Sequence, residues 1–182
     1  MKYLRQVSRM ENFTLEKRQL CDIQGRLFEL ALKVGLDCPA FIETFMNSKA
    51  AAALDDVYDR LQWAGEEYIL EELDDEVHGL KKAGITYSSE VMYWIGYTYR
   101  YWHYYTNEYS REIYKIADAK TMSECWLGFH TFDIEMAIDD LKEIYTQKRN
   151  FPPEVQLSAG ETPAESCKQE KNNIVEHRRK SE

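Results

Sequence analysis

Hydrophobic and polar positions recur at three- and four-residue steps through most of this chain, the period of amphipathic helices. Leu20, Ile23, Leu27, Ala31 and Val34 predict a helix over residues 15–34, with Thr14 as its N-cap and Gly35 as its C-terminal cap. Asp37-Cys38-Pro39 restarts a short helix with proline in the first turn, turning Phe41, Ile42 and Phe45 inward until Asn47-Ser48 breaks it. Ser48 then caps a longer helix that opens on the alanine run 50–53 and carries Leu54, Val57, Tyr58, Leu61, Tyr68, Ile69 and Leu73 inward. Gly65 interrupts it at a cost of about 1 kcal/mol relative to alanine, which points to a close helix neighbour, a kink or two shorter helices. His78-Gly79 and Gly84 close the first half.

The next element is the most unusual. From residue 93 to 105 the chain reads Tyr-Trp-Ile-Gly-Tyr-Thr-Tyr-Arg-Tyr-Trp-His-Tyr-Tyr, the composition of a helix buried on most of its circumference. Thr86, Ser88 and Ser89 offer alternative caps. At about 100° per residue, Val91, Ile95, Thr98, Trp102 and Tyr105 share one face, flanked by Trp94 and Tyr101, while Tyr93, Tyr97, Arg100 and Tyr104 line the opposite one. One face packs on its own domain. The other needs a second layer, a ligand or a partner.

Thr106-Asn107-Glu108-Tyr109 reads as a turn, after which Ser110 caps a short helix through Ile113, Tyr114 and Ile116. Thr121-Met122-Ser123-Glu124 has the spacing of a capping box and should start a helix carrying Cys125, Trp126 and Phe129. Asp133 caps the last helix, with Ile134, Ala137, Ile138, Leu141, Ile144 and Tyr145 as its inner stripe. The first ten or so residues read as a loosely held lead-in. From Arg149 onward Pro, Gly, Ser, Glu and Lys replace the large apolar residues, the composition of a disordered segment. The expected fold is therefore all-α: a compact single-domain multi-helix bundle (residues 1–148) built around a central aromatic helix, with a disordered polar tail (149–182).

Composition narrows the class. A chain of 182 residues that is 44% hydrophobic can bury one good core. No run of eighteen apolar residues occurs and the N-terminus lacks a signal-peptide pattern, so no membrane partner and a cytoplasmic location are expected. Cys21, Cys38, Cys125 and Cys167 are scattered, which reads as free thiols with the first three filling core positions. The formal net charge is −9, which disfavours nucleic acid as a partner. Between residues 54 and 78 ten acids (Asp55, Asp56, Asp59, Glu66, Glu67, Glu71, Glu72, Asp74, Asp75, Glu76) face Arg60 alone, so this segment holds the whole imbalance. It is either a solvated helix face or a docking surface for a basic partner.

Candidate chemistry is sparse. None of His78, His103, His130 and His177 has a second histidine or a cysteine at metal-ligand spacing, and each reads as structural. His130, close to Asp133, either caps a helix end or orients against a carboxylate. The adjacent acid pairs diverge on a helix, and the Glu-x-x-His companion of a carboxylate-bridged metal site is missing. There is no glycine-rich phosphate loop, nucleophile elbow or His-Glu-x-x-His. No catalytic residue, metal or cofactor is expected. The aromatic helix resembles a base-stacking platform in composition, yet residues 85–117 hold equal numbers of acids and bases. Residues 90–117 also have a helix-turn-helix outline, with Arg111 and Lys115 as the nucleic-acid contacts of that alternative.

Two stretches carry a family resemblance. Tyr58-Asp59-Arg60-Leu61-Gln62-Trp63-Ala64-Gly65-Glu66-Glu67-Tyr68-Ile69-Leu70-Glu71-Glu72-Leu73 resembles small helical bacterial proteins often encoded beside ADP-ribosyltransferase-like toxins. Tyr93-Trp94-Ile95-Gly96-Tyr97 through Tyr101-Trp102, with Ile113-Tyr114-Lys115, His130-Thr131 and Ala137-Ile138-Asp139-Asp140-Leu141, is similar to a companion family from the same gene neighbourhoods. The resemblance spans roughly residues 54–145 and implies an antitoxin or accessory subunit of a toxin module, not an enzyme. With the charge pattern, it leads to the expectation of a non-catalytic protein-binding module that neutralises a basic partner protein, such as a cognate toxin. The partner-binding residues expected on the acidic helix are Trp63, Glu66, Glu67, Tyr68, Glu71 and Glu72. Tyr93, Tyr97, Arg100 and Tyr104 form a second candidate surface: open, it is the leading partner site; covered, it is scaffold.

Overall fold

The computed structural model describes residues 13–150, and eight α-helices account for most of them. In chain order they are α1 (Leu15–Lys33), α2 (Cys38–Met46), α3 (Lys49–Asp55), α4 (Glu66–Val77), α5 (Ser89–Thr106), α6 (Ser110–Ile116), α7 (Ala119–Phe129) and α8 (Ile134–Asn150), with a 3-10 turn at Arg60–Trp63 between α3 and α4. Among the described residues the only extended pairing is an isolated bridge between Leu36 and Lys82. The all-α bundle expected from the hydrophobic period is what forms. The lead-in (residues 1–12), Cys167 and residues 151–182 of the expected tail lie outside the described residues; Arg149 and Asn150, assigned to that tail, instead complete α8.

Local caps follow the side chains that can make them. Thr14, Asp37, Ser48 and Ser88 each accept a backbone N–H at the start of a helix. Gly35 takes a positive φ of 79° beyond α1, letting the chain reverse into α2. Two starts differ from expectation. Asp118, not Thr121, caps α7, because its Oδ1 accepts the Thr121 N–H at 2.7 Å and opens the helix three residues earlier. Tyr109 occupies the cap position of α6, and Ser110 is its first helical residue, its N–H and hydroxyl both turned to Asp55.

The core is organised on α1 and α5, which pack antiparallel along their lengths and share the most extensive helix pairing in the molecule. Ser89 bonds Glu29, Tyr93 bonds Asp22, Arg100 bonds Gln24 and the Tyr104 ring lies beside Lys17, so the register runs in opposite directions along the two helices. The approach is close enough that a Cβ on Gly96 would stand 2.5 Å from the Gln24 carbonyl oxygen and 2.9 Å from Phe28. Phe28 in turn meets Phe41 and Phe45 edge-on at centroid distances of 5.2 and 5.4 Å. Cys21, Cys38 and Cys125 are buried; burial pushes the Cys21 thiol up to about 12.

The aromatic helix is covered on both sides. Val91, Ile95, Thr98 and Trp102 are buried as the face count requires, and Tyr99 is buried with them, its hydroxyl donating to the Ala117 carbonyl at 2.6 Å. Tyr105, assigned to the same face, is only half-buried and its hydroxyl reaches Asp139. The opposite face meets α1.

The largest departure lies between residues 55 and 66. The continuous helix expected after Ser48 is three pieces: α3 stops at Asp55, residues 56–59 are irregular, and α4 begins only after Gly65, which serves as its N-cap. Val57, Tyr58 and Tyr68, expected to point inward, are exposed, whereas Leu54, Leu61, Ile69 and Leu73 are buried as expected.

Candidate functional site

What ends α3 is a buried ion pair. Arg100, 1% exposed, donates from Nη1 to Asp55 Oδ1 at 2.7 Å and from Nε to Gln24 Oε1 at 2.8 Å. Asp55 also accepts the Ser110 N–H and hydroxyl, each at 2.8 Å. One carboxylate at the last turn of α3 is thereby joined to the middle of α5 and to the first turn of α6, with α1 supplying the fourth wall. A charge taken out of water persists only when its lone pairs or protons are met, and here both partners are surrounded by donors and acceptors. Holding Asp55 inward turns the following backbone outward, and Asp56 leaves helical geometry with ψ near 159°. Asp59 then restarts the chain by accepting the Leu61 N–H at 2.8 Å.

The segment so displaced forms one wall of an open groove of about 1030 Å³. The first half of α1 forms the second wall and the end of α5 with the turn into α6 forms the third. Val57 is fully exposed on its edge, Tyr58 and Trp63 are 77% and 73% exposed, and Tyr109 comes from the far side at 61%. Large apolar side chains gathered at one concave site, rather than scattered singly, are the usual mark of an interaction surface.

His103 lines the same groove above the ion pair. Its Nδ1 lies 2.8 Å from the Glu108 carbonyl oxygen, which can only accept, so the ring carries its proton on Nδ1. Burial lowers its pKa, the neighbouring Arg100 charge lowers it further, and Asp55, 3.6 Å away, opposes them. The imidazole is therefore neutral near pH 7. Among the described residues no hydroxyl or thiol nucleophile is hydrogen-bonded to it, and no three His, Cys, Asp or Glu side chains are grouped to hold a metal ion.

The sequence-derived candidates separate into three sets. Trp63 is in the groove. On α4, Glu67, Glu71 and the half-open Tyr68 face solvent, but Glu66 pairs with Arg26 at 2.9 Å, and Glu72 meets both Arg60 and the Tyr68 hydroxyl. Glu76 accepts the Lys49 N–H and Asp74 the Leu80 N–H, so the acidic segment is largely committed within the chain. It is not one continuous charged helix face.

Of the two alternatives for Tyr93, Tyr97, Arg100 and Tyr104, the structure shows the covered one: they do not form an open second surface. Tyr93 lies on Gly25 and donates to Asp22 at 2.6 Å, Tyr97 stacks between Tyr93 and Tyr101, and Arg100 is wholly interior. Tyr104 alone reaches the groove, with Lys17 Nζ 5.4 Å from its ring centre. The helix-turn-helix contacts are also occupied: Arg111 donates to the Asn47 carbonyl at 3.2 Å and Lys115 pairs with Glu112 at 2.9 Å. His130 stacks on Trp126 and meets the Trp126 carbonyl rather than a carboxylate. Val57, Tyr58 and Tyr109 were not anticipated as surface groups. The one local hint was Asp59, a capping residue just ahead of Leu61.

Among the described residues no helix is long and apolar enough to cross a membrane. Comparison of the chain with protein-family models, with curated proteins and with solved structures finds no match.

Proposed function

We propose that the protein is a non-catalytic binding module that docks a basic partner protein, an antitoxin or accessory subunit of the kind the sequence resemblance implies, and that the partner enters the groove beside Trp63. The carrying observation is the convergence of exposed Val57, Tyr58, Trp63 and Tyr109 on one concave site, held open by the buried Asp55–Arg100 pair. Tyrosine and tryptophan in such settings supply most of the energy of an interface, because each removes a large area from water at small entropic cost. Glu67 and Glu71 on α4 are exposed and add a negative field that speeds encounter with a basic surface more than it tightens the complex.

The test is affinity capture by the full chain expressed in its native host, comparing the unaltered protein with the Tyr58→Asp/Trp63→Asp double variant and with Leu127→Asp on α7. A basic protein retained by the first and third baits and lost from the second supports the groove. Equal retention by all three places the contact elsewhere, and the absence of any stoichiometric protein defeats the binding-module reading. Glu67→Lys/Glu71→Lys should slow association while leaving dissociation nearly unchanged.

A further inference from the structure

Resting on the reading of the groove as a docking site, the geometry points to its occupant: we infer that it receives an extended segment of the partner protein carrying an arginine or lysine, whose side chain lies against Trp63 and Tyr58 with its charge toward Asp56 and Glu16. Charge decides the sign. Of the groove's ionisable lining, Arg26 is paired with Glu66 and Asp55 with Arg100. Among the described residues the groove's other charged groups are the carboxylates of Glu16, Asp56 and Asp22, the last accepting the neutral Tyr93 hydroxyl, and the ammonium of Lys17, while the buried His103 adds no charge at neutral pH because burial and Arg100 hold it in its neutral form. A phosphate or acidic segment would meet three carboxylates.

Aromatic chemistry agrees with that sign. The Tyr104 ring in the same wall already has Lys17 Nζ at 5.4 Å and Arg100 Cζ at 6.0 Å from its centre. A cation over a ring face is favoured by about 0.5–1 kcal/mol at exposed sites. Tyr58, Trp63 and Tyr109 offer further rings with no described cation above them, and the alkyl stem of an arginine or lysine can cover Val57. The groove is too large for a single side chain, since its volume of about 1030 Å³ matches the upper end of sites that enclose drug-sized ligands. A few residues of extended chain fit it.

The experiment titrates the full chain with the labelled peptide Gly-Ser-Pro-Arg-Gly-Arg-Pro-Ser-Gly and with its citrulline counterpart, which has the same shape and no charge. The arginine peptide should bind about tenfold tighter than the citrulline one, a difference of about 1.4 kcal/mol spread over two cation–aromatic contacts and their carboxylates. Trp63→Ala should abolish that preference and Asp56→Asn should reduce it, both at unchanged far-ultraviolet circular dichroism, while Leu127→Ser should leave it intact. Raising salt should weaken the arginine peptide selectively. Equal binding of the two peptides, or a preference that survives Trp63→Ala, overturns the inference. If neither peptide binds while the groove variant still loses its captured protein, the cationic segment is wrong and the docking site stands; if both tests fail, both readings fall.

Discussion

Arg100 and Asp55 meet at 2.7 Å in the interior, and this pair is the reason the acidic segment is not a single helix. Forty-five residues apart in sequence, they draw the end of α3 against the middle of α5, and directly after Asp55 the chain leaves helical geometry and exposes Val57 and Tyr58. The pair thus links the scaffold to the groove. It also buries the guanidinium of the helix face whose cover the sequence left undecided.

Breaking the pair from one side should be severe. Asp55→Ala leaves a buried guanidinium without its counter-charge and is expected to cost about 3–5 kcal/mol in urea unfolding. Replacing both partners, as Asp55→Leu/Arg100→Met, should cost clearly less than the sum of the single changes. Strict additivity would show that the two residues contribute separately.

Gly96→Ala tests the closeness of α1 and α5. The added methyl meets backbone, the Gln24 carbonyl, and must push the helices apart, so a loss of about 1–3 kcal/mol or more is expected by thermal unfolding. Gly25→Ala should be milder, because its Cβ meets the Tyr93 ring, which can swing. The reverse order would mean that the helices, and not the ring, give way easily.

The broken helix makes a contrast between neighbours. Val57→Ser and Tyr58→Ser should change stability by no more than about 0.5 kcal/mol, as exposed substitutions do. Leu61→Ala, in the 3-10 turn but buried, should cost about 2–4 kcal/mol. Were Val57 as sensitive as Leu61, residues 48–78 would be the continuous helix that periodicity suggests.

Asp37 contributes to the acid limb of stability. Its carboxylate accepts the Ala40 N–H at 2.9 Å, which lowers its pKa most; burial opposes this, while Lys81 and the Ile85 N–H, each at 3.1 Å, add to it. A folded-state pKa below the unfolded value means the unfolded chain binds more protons in the interval between them. The stabilisation is therefore fully present above about pH 3.9 and is lost as pH falls through the lowered folded value. Asp37→Asn should flatten the unfolding-against-pH curve in that acid window and leave its shape at pH 7 unchanged.

His103 acts in a higher window with the same sign. Burial beside Arg100 lowers its pKa below the ordinary value of about 6.5, so the folded chain resists protonation and stability declines as pH drops from about 6.5 toward the lowered value. His103→Gln should remove this part of the slope. A slope that persists there would assign it to other groups.

The helices were largely legible because their signals are local. Thr14, Asp37, Ser48 and Ser88 lie within three residues of the amides they cap, and Phe41, Ile42, Phe45, Ile138 and Leu141 carry their burial in their spacing. One cap was misread for an equally local reason. Asp118 and Thr121 both have capping chemistry, and the earlier residue wins because Ala119 and Lys120 extend the helix without cost.

The site was less legible. Trp63 was found from its type, but its neighbours were not, since Val57 and Tyr58 continue the period of Leu54 and Leu61 and only a long-range contact ends it. Composition and period alone determined that the chain folds as helices around an aromatic one, because helix formation and amphipathic burial depend on side chains a turn apart. Only the tertiary structure decided that Arg100 turns inward to Asp55, that α1 covers the second aromatic face and that residues 56–59 open a groove. Those outcomes depend on contacts between residues forty-five or more apart, the buried charge pair and the α1–α5 hydrogen bonds, energies no local window contains.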